Sequence, residues 1–99
     1  MSPPDVARQN IALVIARLAQ AFPTRTVRIV ANDRRQAVFS IETPDRSHRA
    51  FVIASRQLLD DVSDSILECL LRAISLLREG HHEVLLTESA VKPRRCLPD

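Results

Sequence analysis

The chain has 99 residues, 45% of them hydrophobic and 26% charged, with a formal net charge of +2. That is enough for one domain that builds a core without disulfides or metals, and two cysteines make no disulfide framework, which favours a reducing compartment. A single glycine excludes the glycine-rich loops that cradle phosphates.

Of the 14 basic residues, 13 are Arg and one, Lys92, is Lys. With the abundant Ala, this reads as the mark of a GC-rich bacterial genome. The three aromatic residues are all Phe, leaving few platforms on which bases could stack. The longest unbroken apolar run in the first half, Ile11 to Ala16, is closed by Arg17 and is far too short to span a bilayer. The start, MSPPDVARQN, has neither the basic segment nor the cleavage site of a signal peptide. The expectation is a cytoplasmic bacterial protein with one globular domain over 1–88 and a tail, 89–99, that has no fixed structure.

Ser2-Pro3-Pro4-Asp5 reads as a helix start, with a Ser cap, prolines in the first turn and an acid three residues on. Ala7, Ile11, Val14, Ile15, Leu18 and Phe22 then follow the helical period, and Pro23 ends the helix. From Thr26 the period falls to two, which predicts three strands around Val27–Ala31, Ala37–Ile41 and Phe51–Ile53. Asn32 to Arg35 and Thr43 to Ser47 are the turns, with Pro and Asp in favoured positions.

Face parity constrains the register, because a slip of one residue turns every side chain over. For Ile29 and Phe39 to share a core face, opposed residues must have numbers with an even sum. This predicts an odd loop, Asp33-Arg34-Arg35, and by the same argument Ile41 opposite Phe51 across a five-residue loop. The expected core face is Val27, Ile29, Ala37, Phe39, Ile41, Phe51 and Ile53. The outer face is then Arg28, Val30, Val38, Ser40, Glu42, Ala50 and Val52, mildly apolar because of its three valines.

Leu58 and Leu59 suggest a short helical turn leading into the main helix, Ser63 to Gly80. Ser65, Glu68, Arg72, Ser75 and Glu79 line one polar stripe, and apolar residues occupy more than half the circumference. Ser65 and Glu68 have capping-box spacing, Glu68 and Arg72 pair at i,i+4, and Gly80 stands where a left-handed residue closes the last turn. Glu83 to Glu88 has the content of a possible fourth strand. The expected fold is therefore α+β, in the order α-β-β-β-α, with a three-stranded antiparallel meander and both long helices on one face.

No catalytic constellation is present, so the chain is not expected to be an enzyme or to use a cofactor, a metal or a small-molecule ligand. His81-His82-Glu83 places neighbouring imidazoles on opposite sides of an extended chain and falls short of a zinc ligand set. Asp60, Asp61 and Asp64 lack the glycine-containing loop of a calcium site and suit helix capping. Cys69 lies in a helical apolar pattern as a small core hydrophobe. Cys96 stands four from the end, but Cys-Leu-Pro-Asp does not suit prenylation.

The order helix, three-stranded meander, helix resembles that of double-stranded RNA-binding domains. Those domains carry a basic cluster at the start of the second helix. Here Asp60, Asp61 and Asp64 occupy that place, so the resemblance implies the element order and not the function. The expected role is a non-enzymatic protein–protein interaction or homodimerisation module without membrane contact. Its candidate surfaces are the outer sheet valines Val30, Val38 and Val52 and the surplus helix residues Cys69, Ala73 and Leu76. The alternative is a weak nucleic-acid-binding domain using Arg34, Arg35, Arg46, Arg94 and Arg95 in loops and tail.

Overall fold

The computed structural model describes residues 6–45, 47–60, 65–87 and 91–93. Helix α1 (Val6–Ala21) leads into strands β1 (Thr26–Asn32), β2 (Gln36–Glu42) and β3 (Arg49–Ser55). A single helical turn, α2 (Arg56–Leu59), and the main helix α3 (Ser65–Arg78) precede β4 (Glu83–Leu86) and β5 (Val91–Pro93). The fold is α+β. Its mixed sheet has five strands in sequence order, all neighbours antiparallel except β3 and β4, which run parallel. The meander expected from the sequence is thus the first part of a wider sheet. The α2–α3 crossover returns the chain to run beside β3 in the same direction, as parallel pairing requires. Val91–Pro93 also continues the sheet, so this stretch of the expected unstructured tail is a strand, while 94–99 lie outside the described residues.

All three helices pack on one sheet face. Val14 and Leu18 of α1, Leu58 and Leu59 of α2, and Ile66, Leu70, Ala73 and Leu77 of α3 join Phe39, Ile41, Val52, Val84 and Leu86 in one buried cluster. Burying a side chain such as Leu70 stabilises the fold by about 1.5–3 kcal/mol. Where α1 ends, Phe22 takes the Arg25 guanidinium over its ring at 5.2 Å and that of Arg78, from the end of α3, at 5.9 Å. These contacts tie the two helix ends together.

Each end of an element has a local cause. Ser55 Oγ accepts from Leu58 N–H at 3.2 Å and caps α2, and Asn10 Nδ2 of α1 donates to the Leu59 carbonyl at its other end, 2.6 Å away. Gly80, with φ of 104°, closes α3 as the sequence predicts. His81 N–H donates to the Leu76 carbonyl and Gly80 N–H to that of Leu77, the two bonds of a Schellman motif. The residues before Ser65, and with them most of the predicted start of this helix, lie outside the described residues.

The two hairpins decide what each face shows. Ile29 does stand opposite Phe39, but by a different route from the odd loop. Asp33 N–H donates to the Gln36 carbonyl at 3.0 Å, so the loop is the even pair Arg34-Arg35. Val30 then supplies the odd residue as a bulge between Ile29 and Ala31. Loop and bulge together restore the parity that Phe39 needs to stay buried.

The second hairpin has no such compensation. Thr43 N–H donates to the His48 carbonyl at 3.1 Å, which leaves an even loop over 44–47 and sets Ile41 opposite Ala50. The faces of β3 are therefore the reverse of the expected ones. Ala50, Val52 and Ala54 lie under the helices, and Phe51 and Ile53 belong to the other face. Among the described residues no helix is long and apolar enough to cross a membrane.

Candidate interaction surface

On the sheet face away from the helices, register places side chains in rows. One row runs Arg28, Ser40, Phe51, Glu83 across β1 to β4, and the next runs Ala31, Val38, Ile53, Leu85. Val38, Phe51, Ile53 and Leu85 form an apolar band, and none of them belongs to the helix-packed core. Ile53 is 5% exposed, while the others are half-buried. Val30, turned out by the bulge, is 49% exposed.

One end of the band is charged but internally neutralised. Glu42, only 5% exposed, receives Arg28 Nη2 at 3.2 Å on one carboxylate oxygen and Arg49 Nη2 at 3.4 Å on the other. Burial alone would push its pKa up. The Arg28 hydrogen bond and the two guanidiniums outweigh that, so the carboxyl sits below its ordinary range and stays ionised. Beside it, Ser40 Oγ is buried on the same face with no hydrogen-bond partner among the described residues. A buried hydroxyl left unpaired is unfavourable, and few folds keep one without reason.

The adjoining β2–β3 loop is held by Asp45. Its Oδ1 accepts from Thr43 Oγ1 at 2.7 Å, from Ser47 N–H at 3.0 Å and from Ser47 Oγ at 2.8 Å. These bonds, the Thr43 one above all, hold the Asp45 carboxyl down to about 2. The cluster fixes the even loop, and the loop in turn sends Phe51 and Ile53 to the open face.

The sequence-predicted surface residues divide. Val30 and Val38 are on the open face. Val52 is fully buried on the helix side, so it cannot line an outer surface, and Ala73 is likewise fully buried in the core. Leu76 and Cys69 are partly buried and pack against the core. Burial raises the Cys69 thiol pKa, and its Sγ lies 3.8 Å from the Thr87 carbonyl, the environment of an inert cysteine. The surplus residue of the main helix is instead Leu71, 70% exposed, beside a groove of about 180 Å³ that also involves Leu67, Leu70, Ile74 and Arg17. Phe51 and Leu85 were the half-buried residues of this face that sequence reasoning missed, with Ile53 buried between them. The signal that points to Phe51 and Ile53 is the five-residue apolar run AFVIA, the pattern of a strand covered on both faces.

Of the arginines named as a possible nucleic-acid contact, only Arg34 and Arg35 lie among the described residues. Arg34 and Arg35 are exposed at the first hairpin, next to Asp33, whose carboxyl is held low by the backbone N–H groups of Arg35 and Gln36. Arg56 donates to the Asp33 carbonyl and to Asn32 Oδ1 in the same hairpin. Arg46, Arg94, Arg95, Cys96, Asp61 and Asp64 lie outside the described residues. His81 and His82 are exposed, and among the described residues no group of three or more His, Cys, Asp or Glu side chains gathers as a metal site would require. No protein-family model, curated protein or solved structure matches this chain.

Proposed function

We propose that this protein is a non-enzymatic interaction module that docks another protein surface through the open face of its sheet. The observation that carries this reading is β3. Its AFVIA run is apolar on both sides, and among the described residues the helices cover one side only. Antiparallel sheets that leave a face to water normally alternate apolar and polar residues, and β3 does not. An apolar band with a charge-neutralised rim has the anatomy of an interface core with a polar edge.

The geometry also argues against pairing through the edges. The outer edge of β1 carries the Val30 bulge, and β5 is three residues long and ends in Pro93. Bulges, short strands and proline are the means by which sheets discourage edge-to-edge addition. Of the surfaces the sheet offers, the face is what remains.

A photo-crosslinking residue in place of Val38, with a second version carrying it at the exposed Gln57 of α2, tests the reading in cells. A discrete adduct from position 38 and none from position 57 is the expected result. Free chain alone from position 38 would remove the open face as a docking surface.

A further inference from the structure

A second surface lies on the helix side of the molecule, and its case is independent of the sheet face. On α3, Leu67, Leu71, Ile74 and Arg78 follow one another at spacings of four, three and four, so they form one stripe along the helix. Arg17 of α1 and the buried Leu70 complete the groove of about 180 Å³ that runs beside the three apolar members. The stripe ends where Arg78 meets Arg25 over the Phe22 ring. We infer that this groove binds an acidic segment of another protein. The segment seats one large apolar side chain against Leu67, Leu71 and Ile74, and its carboxylates meet Arg17 and Arg78.

Volume sets the apolar part. A cavity of about 150 Å³ lined by aliphatic residues holds one benzene ring. A groove of about 180 Å³ therefore takes a single side chain of the size of Leu or Phe. Leu71 is 70% exposed and Leu67 and Ile74 are half-buried, so the groove stands open to such a group.

Charge sets the rest. Arg17, Arg25 and Arg78 are exposed and form no ion pair with the described residues, and α1 has no acidic residue along its length. The two guanidiniums over Phe22 keep their charge, because a ring face neutralises nothing and the N–H fork still fits a carboxylate. The acids of α3, Glu68 and Glu79, belong to its polar stripe, where Arg72 stands between them. Leu71 and Arg78 are seven residues apart, about 10 Å along the helix, so a carboxylate about three extended residues beyond the apolar side chain reaches Arg78. A second copy of the chain does not suit this surface, since a two-fold contact would set arginines against arginines. A lipid surface takes a projecting apolar face, whereas here Leu67, Leu70 and Ile74 line a recess.

Selection of short random peptides on the immobilised full chain tests this without a known partner. Wild type is expected to enrich peptides that combine Leu or Phe with nearby Asp or Glu. A synthetic peptide from that pool should bind L71S and R17E about tenfold or more weakly, and its affinity for wild type should fall with salt. R17E should itself enrich Lys or Arg in place of the acid. Far-UV circular dichroism confirms that both variants fold. Amide shifts in the unaltered chain give a reading that needs no variant: the peptide should move Leu67, Leu71 and Ile74.

No enrichment over a blank surface, enriched peptides without an acid, or equal binding to L71S overturns the inference. Leu71-dependent self-association, or Leu71-dependent pelleting with phosphatidylglycerol vesicles, in place of peptide binding does so in favour of a second copy or a lipid surface. Shifts at Val38, Phe51 and Leu85 instead would overturn it while leaving the sheet face as a docking surface. A failed crosslink at position 38 with peptide shifts in the groove would do the reverse.

Discussion

The two faces of the sheet differ less in apolar content than in the size and placement of their side chains. On the packed face β3 contributes the small residues Ala50, Val52 and Ala54, which join Leu58, Leu59, Ile66 and Leu70 in one buried cluster. On the open face the same strand presents Phe51 and Ile53, flanked by Val38 and Leu85. Apolar bulk therefore does not say which side of a strand meets the helices. Where both sides are apolar, loop closure and helix approach decide.

Truncating one Phe on each face breaks the comparison most directly. Phe39 is fully buried in the helix-packed cluster, and Phe39→Ala should cost about 3–5 kcal/mol, enough to unfold a domain of this size or bring it close to unfolding. Phe51 is half-buried, and Phe51→Ala should cost only about 1 kcal/mol in the monomer, by the area it loses from water-free contact. Urea unfolding at low protein concentration reads both. Equal losses would mean that the two faces are equally well covered within one copy.

The fold was legible where one side of a segment was clearly polar. The periods of α1 and α3, the stop at Gly80 and the pairing of Ile29 with Phe39 all follow from such contrasts. The register of β3 was not, because AFVIA offers no polar side to turn outwards. An odd second loop then placed Phe51 and Ile53 inside, and the reading failed because the loop is even and sets Ile41 opposite Ala50. The turn chemistry held the missing information. Asp45, two residues after Thr43 and two before Ser47, gathers both into an even loop. The bulge at Val30 left a fainter trace, three successive apolar residues, Ile29-Val30-Ala31, in a strand that otherwise alternates. Of the candidate surface, Val38 and Val30 were readable from the sequence, whereas Phe51, Ile53 and Leu85 needed the register.

Gly80 sharpens the comparison from the helix side, because it ends α3 over the packed face and turns the chain into β4. Nothing lies within 4 Å of where a Cβ would be, so Gly80→Ala tests backbone conformation alone. At φ of 104° an L-residue is strained, and the loss should be about 1–2 kcal/mol by urea midpoint with no change in slope. A loss no larger than that of an ordinary surface substitution would mean that the Schellman turn does not hold the end of α3.

The smallest expected effect concerns the loop that assigns Phe51 to the open face. Asp45 has an ordinary carboxyl pKa near 3.8 when the chain is unfolded, and its hydrogen bonds from Thr43 and Ser47 lower this to about 2 in the fold. The sign follows from proton uptake: between these values the unfolded chain binds the proton and the folded one does not. The stabilisation is therefore complete above pH 3.8 and fades as the pH falls towards 2. Asp45→Asn removes the titrating group, so its stability curve should run flatter than wild type over that interval and lie below it at neutral pH. Amide exchange at Phe51 and Ile53 gives the more local reading, since a loosened loop lets β3 slip and faster exchange there should accompany the substitution. Parallel curves for the two proteins through acid pH, with unchanged exchange in β3, would show that the loop follows the register instead of setting it.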